Sequence, residues 1–370
     1  MIDSNIHPSQ YPPPLLRGNT DWRRAPPVRR VTFPNGNAMQ TENVGECPEL
    51  ILDAPGLIDD FYSSPIDWCE YDGCSRIAVA LLSSIYIYNP DNKALCQMER
   101  YNRHMVTSVK FISPQNSRLL ASGAQGGGIR VWDTSTVQIL CEWQTTSSRI
   151  ISLATLNENL IFSGSETGEV LLFDLRTNRP ASRLSSTIHC QEICGLSLAP
   201  NRSLLASGSN DNTIGIWDLR MLCANSLGIG RALFKISHHS AAALNWLDNS
   251  ILASGGGTSD RRIALWDAST TGALLYEKDT GSQITHLVWL SPPYGQGNLL
   301  AVAHGYEAAA ENERTTNVAD ISIWEYSPLH QLREVQRISP AHSGRVLHLA
   351  TIPHKLLSCG ADETLRFWAF

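Results

Sequence analysis

From residue 50 onward one pattern governs the chain: an apolar run, a small-residue turn, then a second apolar run ending in an aromatic ring. The clearest copies run from Leu119-Leu120-Ala121-Ser122-Gly123 to Ile129-Arg130-Val131-Trp132-Asp133, and from Leu204-Leu205-Ala206-Ser207-Gly208 to Ile214-Gly215-Ile216-Trp217-Asp218. A third runs from Ile251-Leu252-Ala253-Ser254-Gly255 to Ile263-Ala264-Leu265-Trp266-Asp267, and weaker copies end at Tyr88, Phe173, Trp324 and Trp368. Successive terminal aromatics are 44, 41, 44, 49, 58 and 44 residues apart. Each run is short, rich in Leu or β-branched residues, and bounded by Ser, Gly, Asn or Asp, as strands are. A small sheet of such strands cannot cover both its faces alone, whereas stacking the sheets radially covers them and leaves only short edges.

A period of about 40–45 residues closing on Trp-Asp is the signature of WD repeats, each a four-stranded blade. Seven copies predict an all-β fold, a seven-bladed WD40 β-propeller over 47–370. Residues such as His342, Asp362 and Trp368 then read first as a buried hydrogen-bonded network of the last blade. The sequence stops at Phe370, two residues past the last aromatic, which leaves that blade one strand short. An open edge invites aggregation, so Glu49-Leu50-Ile51-Leu52 is expected to supply the missing strand and close the ring.

Residues 1–46 differ from the rest. Seven prolines fall within the first 34 residues, including Pro12-Pro13-Pro14 and Pro26-Pro27. Proline lacks an amide donor and resists helix and sheet, so this segment reads as a proline-rich disordered N-terminal arm. Residues 1–40 carry five Arg and two Asp, a charge of +3, so the remainder carries −9 of the total of −6. An acidic body argues against a nucleic-acid surface, which needs counterion-releasing Lys and Arg, and suits basic peptide partners. No run of about 18 apolar residues stands in the chain to predict a membrane helix, and its first residues lack a secretory layout. Nine scattered cysteines, an odd number, fit reduced thiols in the nucleus and cytoplasm better than a disulfide framework. Cys190 and Cys194 have no second pair at zinc-ligand spacing, so no metal is expected.

Catalytic motifs are missing. Gly123-Ala124-Gln125-Gly126-Gly127-Gly128 lacks the Gly-Lys-Ser/Thr ending of a phosphate loop and occupies the same turn as Gly255-Gly256-Gly257, so it reads as a hairpin. There is no Gly-x-Ser-x-Gly elbow, and nothing nominates a carboxylate pair as acid and base. The chain is expected to be a binding platform without cofactor, not an enzyme.

More specific strings narrow the reading. Leu52-Asp53-Ala54-Pro55-Gly56-Leu57-Ile58-Asp59-Asp60-Phe61-Tyr62, followed by Ile66-Asp67-Trp68 and Ile77-Ala78-Val79-Ala80-Leu81, resembles the lead-in to the propeller of the Fizzy family. Gln191-Glu192-Ile193-Cys194-Gly195-Leu196, Gly208-Ser209-Asn210-Asp211-Asn212 and Gly255-Gly256-Gly257-Thr258-Ser259-Asp260-Arg261 resemble it too. So do His342-Ser343-Gly344-Arg345-Val346-Leu347 and Ala361-Asp362-Glu363-Thr364-Leu365-Arg366-Phe367-Trp368. The resemblance runs from about residue 50 to the end.

Members of that family are coactivators of the anaphase-promoting complex and present cell-cycle proteins to this ubiquitin ligase through short degrons. The resemblance therefore implies an activator of ubiquitin-dependent protein catabolism in cell division, a meiotic member included. It also implies a receptor for the Lys-Glu-Asn (KEN) box at the centre of one propeller face, matched here by Asp67, Asn210, Asn212, Thr258, Gln283 and Arg345. Asp67 suits the degron lysine and Arg345 its glutamate through a charge-assisted fork; the others offer amide and hydroxyl partners. Any one of them alone would read as a turn residue. A second groove, between the first and last blades, takes the destruction box (Arg-x-x-Leu) in the family. Asp60 and Glu363 match as holders of its Arg, and burying its Leu contributes roughly 1.5–3 kcal/mol.

Two family features are not readable: the C-box near the N-terminus and an Ile-Arg tail. Asp21-Trp22-Arg23-Arg24-Ala25-Pro26-Pro27 shares charge and proline with the C-box but not its pattern. Two readings stay open on these grounds, an adaptor that docks on the ligase and a degron-binding propeller that does not. The segment 307–317 accounts for the 58-residue spacing and is expected to project as a loop or short helix.

Overall fold

The computed structural model describes residues 47–369 apart from 72, 99–100, 102–103, 114–115, 178–179, 185–187, 222–228, 231, 238–242, 291–297, 308–315, 329–330 and 353. The expected arm over 1–46 and most of the 307–317 insertion lie outside these residues; the insertion's flanks, Glu307 and Thr316, pair with each other. Seven sheets make seven blades. Their inner strands are Ile66–Tyr71, Val106–Ser113, Ile150–Asn157, Ile193–Leu198, Ala243–Trp246, Ser282–Leu290 and Val346–Ile352. These follow one another round the axis in chain order, and the last lies against the first.

Every repeat-closing aromatic falls on the third strand of its blade, as in Gly128–Asp133 and Thr364–Ala369. Each ring is buried between blades, with Trp132, Trp217 and Trp368 almost wholly shielded. The Ser of the Ala-Ser-Gly strings meets the indole N–H: Trp132 Nε1 donates to Ser122 Oγ at 2.7 Å and Trp217 to Ser207 at 2.8 Å, and Ser358 of Leu357-Ser358-Cys359 accepts from Trp368 in the same way at 2.9 Å. Behind the serine stands a second polar ring. His342 Nε2 lies 2.8 Å from Ser358 Oγ, and its Nδ1 lies 2.9 Å from Asp362, so the network expected in the last blade is present. Blade 4 repeats it with His189 and Asp211. Blade 6 builds it differently, with His304 on its second strand bridging Ser282 and Ser322. In blade 2, Tyr101 takes the histidine's place at Ser122.

The glycine of the same strings has a separate cause. A Cβ at Gly123 would stand 2.5 Å from Ile150, and one at Gly164 2.6 Å from Ile193, the residues that open the next inner strands. Side-chain-free backbone is thus what lets adjacent blades approach. Gly126 and Gly127 have φ of +85° and +77° in a hairpin turn followed by a strand, not a helix.

Closure uses Leu50–Asp53, which pairs antiparallel with the last blade from Leu50↔Phe367 to Asp53↔Thr364. Glu49 N adds a bond to Phe367 O, so the expected segment closes the ring, its strand shifted by one residue toward Asp53. One pairing was not expected. Ile229–Gly230, from the connection before the outer strand of blade 4, adds a parallel strand to the edge of blade 3 and covers it.

Two outcomes follow from this packing. Leu52 is 1% exposed within the closing strand, so Leu52→Asp should cost several kcal/mol, roughly what burying an unpaired charge or emptying a core site costs; urea denaturation monitored by tryptophan fluorescence reads it. Burial pushes the His189 imidazole down to about 4 and His304 to about 3, against an ordinary 6.5. The unfolded chain therefore takes up protons first, so this stability is complete above 6.5 and lost as pH falls through the folded values. Melting temperature should hold near neutrality and decline steadily between pH 6.5 and 4.

Candidate functional site

Inner strands start, and second strands end, on the same face of the propeller, so the residues at these junctions ring one mouth of the central channel. Backbone bonds tie each pair: Glu166 N to Arg149 O, Asn210 N to Glu192 O, and Ala361 N to Arg345 O. In four blades the residue just ahead of the inner β-branched residue is polar and stands at the mouth. Arg149-Ile150, Glu192-Ile193, Gln283-Ile284 and Arg345-Val346 share this register.

The link from the closing strand to blade 1 crosses this mouth. Asp59 reaches blade 7, where Arg345 Nε donates to its Oδ1 at 2.6 Å and Nη2 to its carbonyl at 3.3 Å. Asp60 points the other way and is ion-paired with Arg149 of blade 3, while its Oδ1 accepts the Tyr62 N–H at 3.0 Å. Tyr62 reaches Glu192 and Asn210 of blade 4. Ser64 then returns beside Thr107 of blade 2. Arg345 also lies over the Tyr306 ring, 4.7 Å from its centroid, and Gln283 Oε1 accepts the Tyr306 N–H at 3.4 Å.

The mouth is dry enough to move its acids and bases. Burial, then the charge of Glu192, pushes the Tyr62 phenol up to about 12. Burial also raises the Glu192 carboxyl, with Arg149 opposing and Glu166 adding to the shift, and lowers the Arg149 guanidinium. Chemically the mouth offers a shielded guanidinium, half-shielded carboxylates and several amide groups.

Of the residues matched to the KEN-box receptor, Gln283 and Arg345 are buried at the mouth, and Asn210 donates to Glu192 Oε1 at 3.3 Å. Thr258 is half-buried in the corresponding turn of blade 5. Asn212 tips its turn at φ +64°, a left-handed conformation that asparagine tolerates, and is exposed. Asp67 does not join them. It lies on the channel wall, where its two oxygens accept Lys110 Nζ and the Phe111 N–H, each at 2.8 Å. That wall, with His286 and His348, encloses a cavity of about 480 Å³.

Asp60 is likewise not beside Glu363: its carboxylate faces Arg149 of blade 3. The acidic residue whose backbone borders the Glu363 turn is Asp53: it pairs with Thr364, and Ala54 N donates to Glu363 O at 2.7 Å. Both Asp53 and Glu363 are exposed. Leu52, Leu57 and Tyr88 are buried in the apolar cluster at this junction of the last and first blades, and Leu50 and Ala361 lie partly buried against it. Sequence reasoning missed Asp59, Tyr62, Arg149, Glu192 and Tyr306. Lining up the residues ahead of the inner strands would have found Arg149 and Glu192; nothing local marks Tyr306. Among the described residues no three His, Cys, Asp or Glu side chains stand together to hold a metal ion.

Comparison with known proteins agrees with the fold. The family model described as the CDC20/Fizzy WD40 domain matches residues 52–368. The WD repeat-containing protein srw1 of Schizosaccharomyces pombe is 33% identical over 92% of this chain and 57% of its own length. Meiotic fizzy-related protein 1 of the same organism is 32% identical over 100% of this chain and 78% of its own. The anaphase-promoting complex subunit cdc20 of Dictyostelium discoideum is 33% identical over 89% and 61%. This chain thus spans little more than half the length of srw1. A chain in the crystal structure of the mitotic checkpoint complex superposes with a TM-score of 0.76 at 30% identity, covering 93% of this chain and 98% of that one. By its sequence and its seven blades alike, the chain belongs to the CDC20/Fizzy family of WD40 propellers.

Proposed function

We propose that this propeller is a substrate-recognition adaptor and activator of the anaphase-promoting complex, holding cell-cycle proteins by their degrons while the ligase carries out ubiquitin transfer. It works by binding alone, in the nucleus and cytoplasm where those proteins are found. The observation that carries the reading is Arg345: a guanidinium shielded at the mouth and stacked on Tyr306, with Gln283, Thr258 and Asn210 at the corresponding end of blades 6, 5 and 4. A buried arginine with fork geometry is suited to a carboxylate, and the glutamate of a KEN box fits it. The degron lysine meets Asp60 and Glu192 at the mouth, in place of Asp67. The degron asparagine finds the amide groups of Asn210 and Gln283. Support for the ligase as partner comes from the Dictyostelium relative named as an anaphase-promoting complex subunit. Support for a meiotic setting comes from the meiotic fizzy-related protein, aligned over the whole of this chain.

The destruction box belongs at the junction of the last and first blades. Its arginine is assigned to the exposed carboxylates Asp53 and Glu363, and its leucine to the partly buried Leu50 and Ala361 beside them. Each degron alone binds modestly, and a substrate carrying both gains avidity.

Fluorescence anisotropy tests the two sites separately. Arg345→Ala should weaken a Lys-Glu-Asn peptide by roughly tenfold or more, as loss of a central shielded contact does, with little effect on an Arg-x-x-Leu peptide. Asp53→Lys should do the reverse. Absence of binding by the folded wild-type chain would sink the degron reading. Failure of the full chain to co-precipitate the ligase while binding degrons would favour a propeller that does not dock.

A further inference from the structure

The guanidinium that the proposed function assigns to a degron carboxylate already holds a carboxylate of this chain. Asp59 accepts from Arg345 Nε at 2.6 Å, and its backbone carbonyl accepts from Nη2 at 3.3 Å. The two partners are not equally fixed. The Arg345 side chain is 9% exposed and is pinned over Tyr306, whereas that of Asp59 is 50% exposed. The aspartate is therefore the partner that can swing into water. Its departure does not require the crossing segment to unfold, because the next residue is anchored independently: Asp60 is paired with Arg149 and accepts the Tyr62 N–H.

We infer that Asp59 is a resident stand-in for the degron glutamate, an internal competitor that sets the affinity and selectivity of the mouth. The inference rests on the proposed function and deepens it. An empty mouth would leave a shielded guanidinium without a counter-charge, which is costly; Asp59 removes that cost. In exchange, an incoming carboxylate gains only the difference between its own contact and the one it displaces. A peptide offering a lone acidic residue then has little advantage. One that also places its lysine and asparagine on the rim makes the exchange favourable, so the pair filters for the complete motif.

The experiment measures four dissociation constants by anisotropy, for wild type and Asp59→Asn with a Lys-Glu-Asn peptide and with its Lys-Gln-Asn counterpart. Asp59→Asn should bind the glutamate peptide roughly two- to fivefold tighter, the scale of a half-exposed ion pair, and leave the glutamine peptide nearly unchanged. A merely structural effect of the substitution would move both peptides together. Should Asp59→Asn melt below wild type, Asp59→Ser serves as the second variant. Equal or weaker glutamate binding by a folded variant overturns the inference and makes Asp59 a positioning residue for Arg345. Binding of neither peptide by wild type would instead remove the degron reading, and this inference with it.

Discussion

Ring closure rests on four residues, Leu50–Asp53, hydrogen-bonded along the outer edge of the last blade. Strand edges seek partners, and this pairing satisfies the last one with the chain's own N-terminal side. The constraint reaches further than stability. Having closed the outside of blade 7, the chain must enter blade 1 at the channel, and the link between the two crosses the mouth. Asp59, Asp60 and Tyr62 lie over the channel for that reason, touching blades 7, 3 and 4 in turn. The same pairing sets Asp53 beside the turn that carries Glu363. Both proposed degron sites are thus by-products of how the ring is shut.

Inside the ring, order comes from polar groups as much as from apolar ones. Apolar clusters fill the spaces between blades, but hydrophobic burial has no direction. The indole N–H, serine hydroxyl and histidine of several blades supply it, since each buried polar atom there needs its partner at one position. The partners are interchangeable in origin: His342 precedes its blade's inner strand while His304 sits on a second strand, and both end at a serine that a tryptophan also meets. Arg345 and Asn210 inherit this rigidity, because each lies within a residue of a strand of a blade that the network holds.

Much of this was legible in the sequence for a physical reason. Strand periodicity and the aromatic that closes each repeat are local, so all seven third strands fell where Tyr88, Trp132, Phe173, Trp217, Trp266, Trp324 and Trp368 mark them. Arg345, Gln283 and Asn210 were legible through the resemblance to the family's receptor, and the repeat sets each at a turn or strand entry on one rim. Asp67 was not, since its fate depends on Lys110, 43 residues away on the neighbouring inner strand. Asp59 and Asp60 are adjacent and chemically alike, yet they point to opposite sides of the mouth, and only the path of the crossing link decides which carboxylate meets which arginine. The parallel strand Ile229–Gly230 likewise carries no local signal, for its pairing is with another blade.

Whether the mouth crossed by Asp59–Tyr62 receives a KEN degron is the central question. A Lys-Glu-Asn peptide bearing a photo-reactive group next to the motif, cross-linked to the full chain and mapped by mass spectrometry, tests it most directly. The account predicts attachment within residues 59–62 or beside Tyr306 and Arg345, competed away by unlabelled peptide. Competable attachment confined to the outer strands or to the opposite face would contradict it.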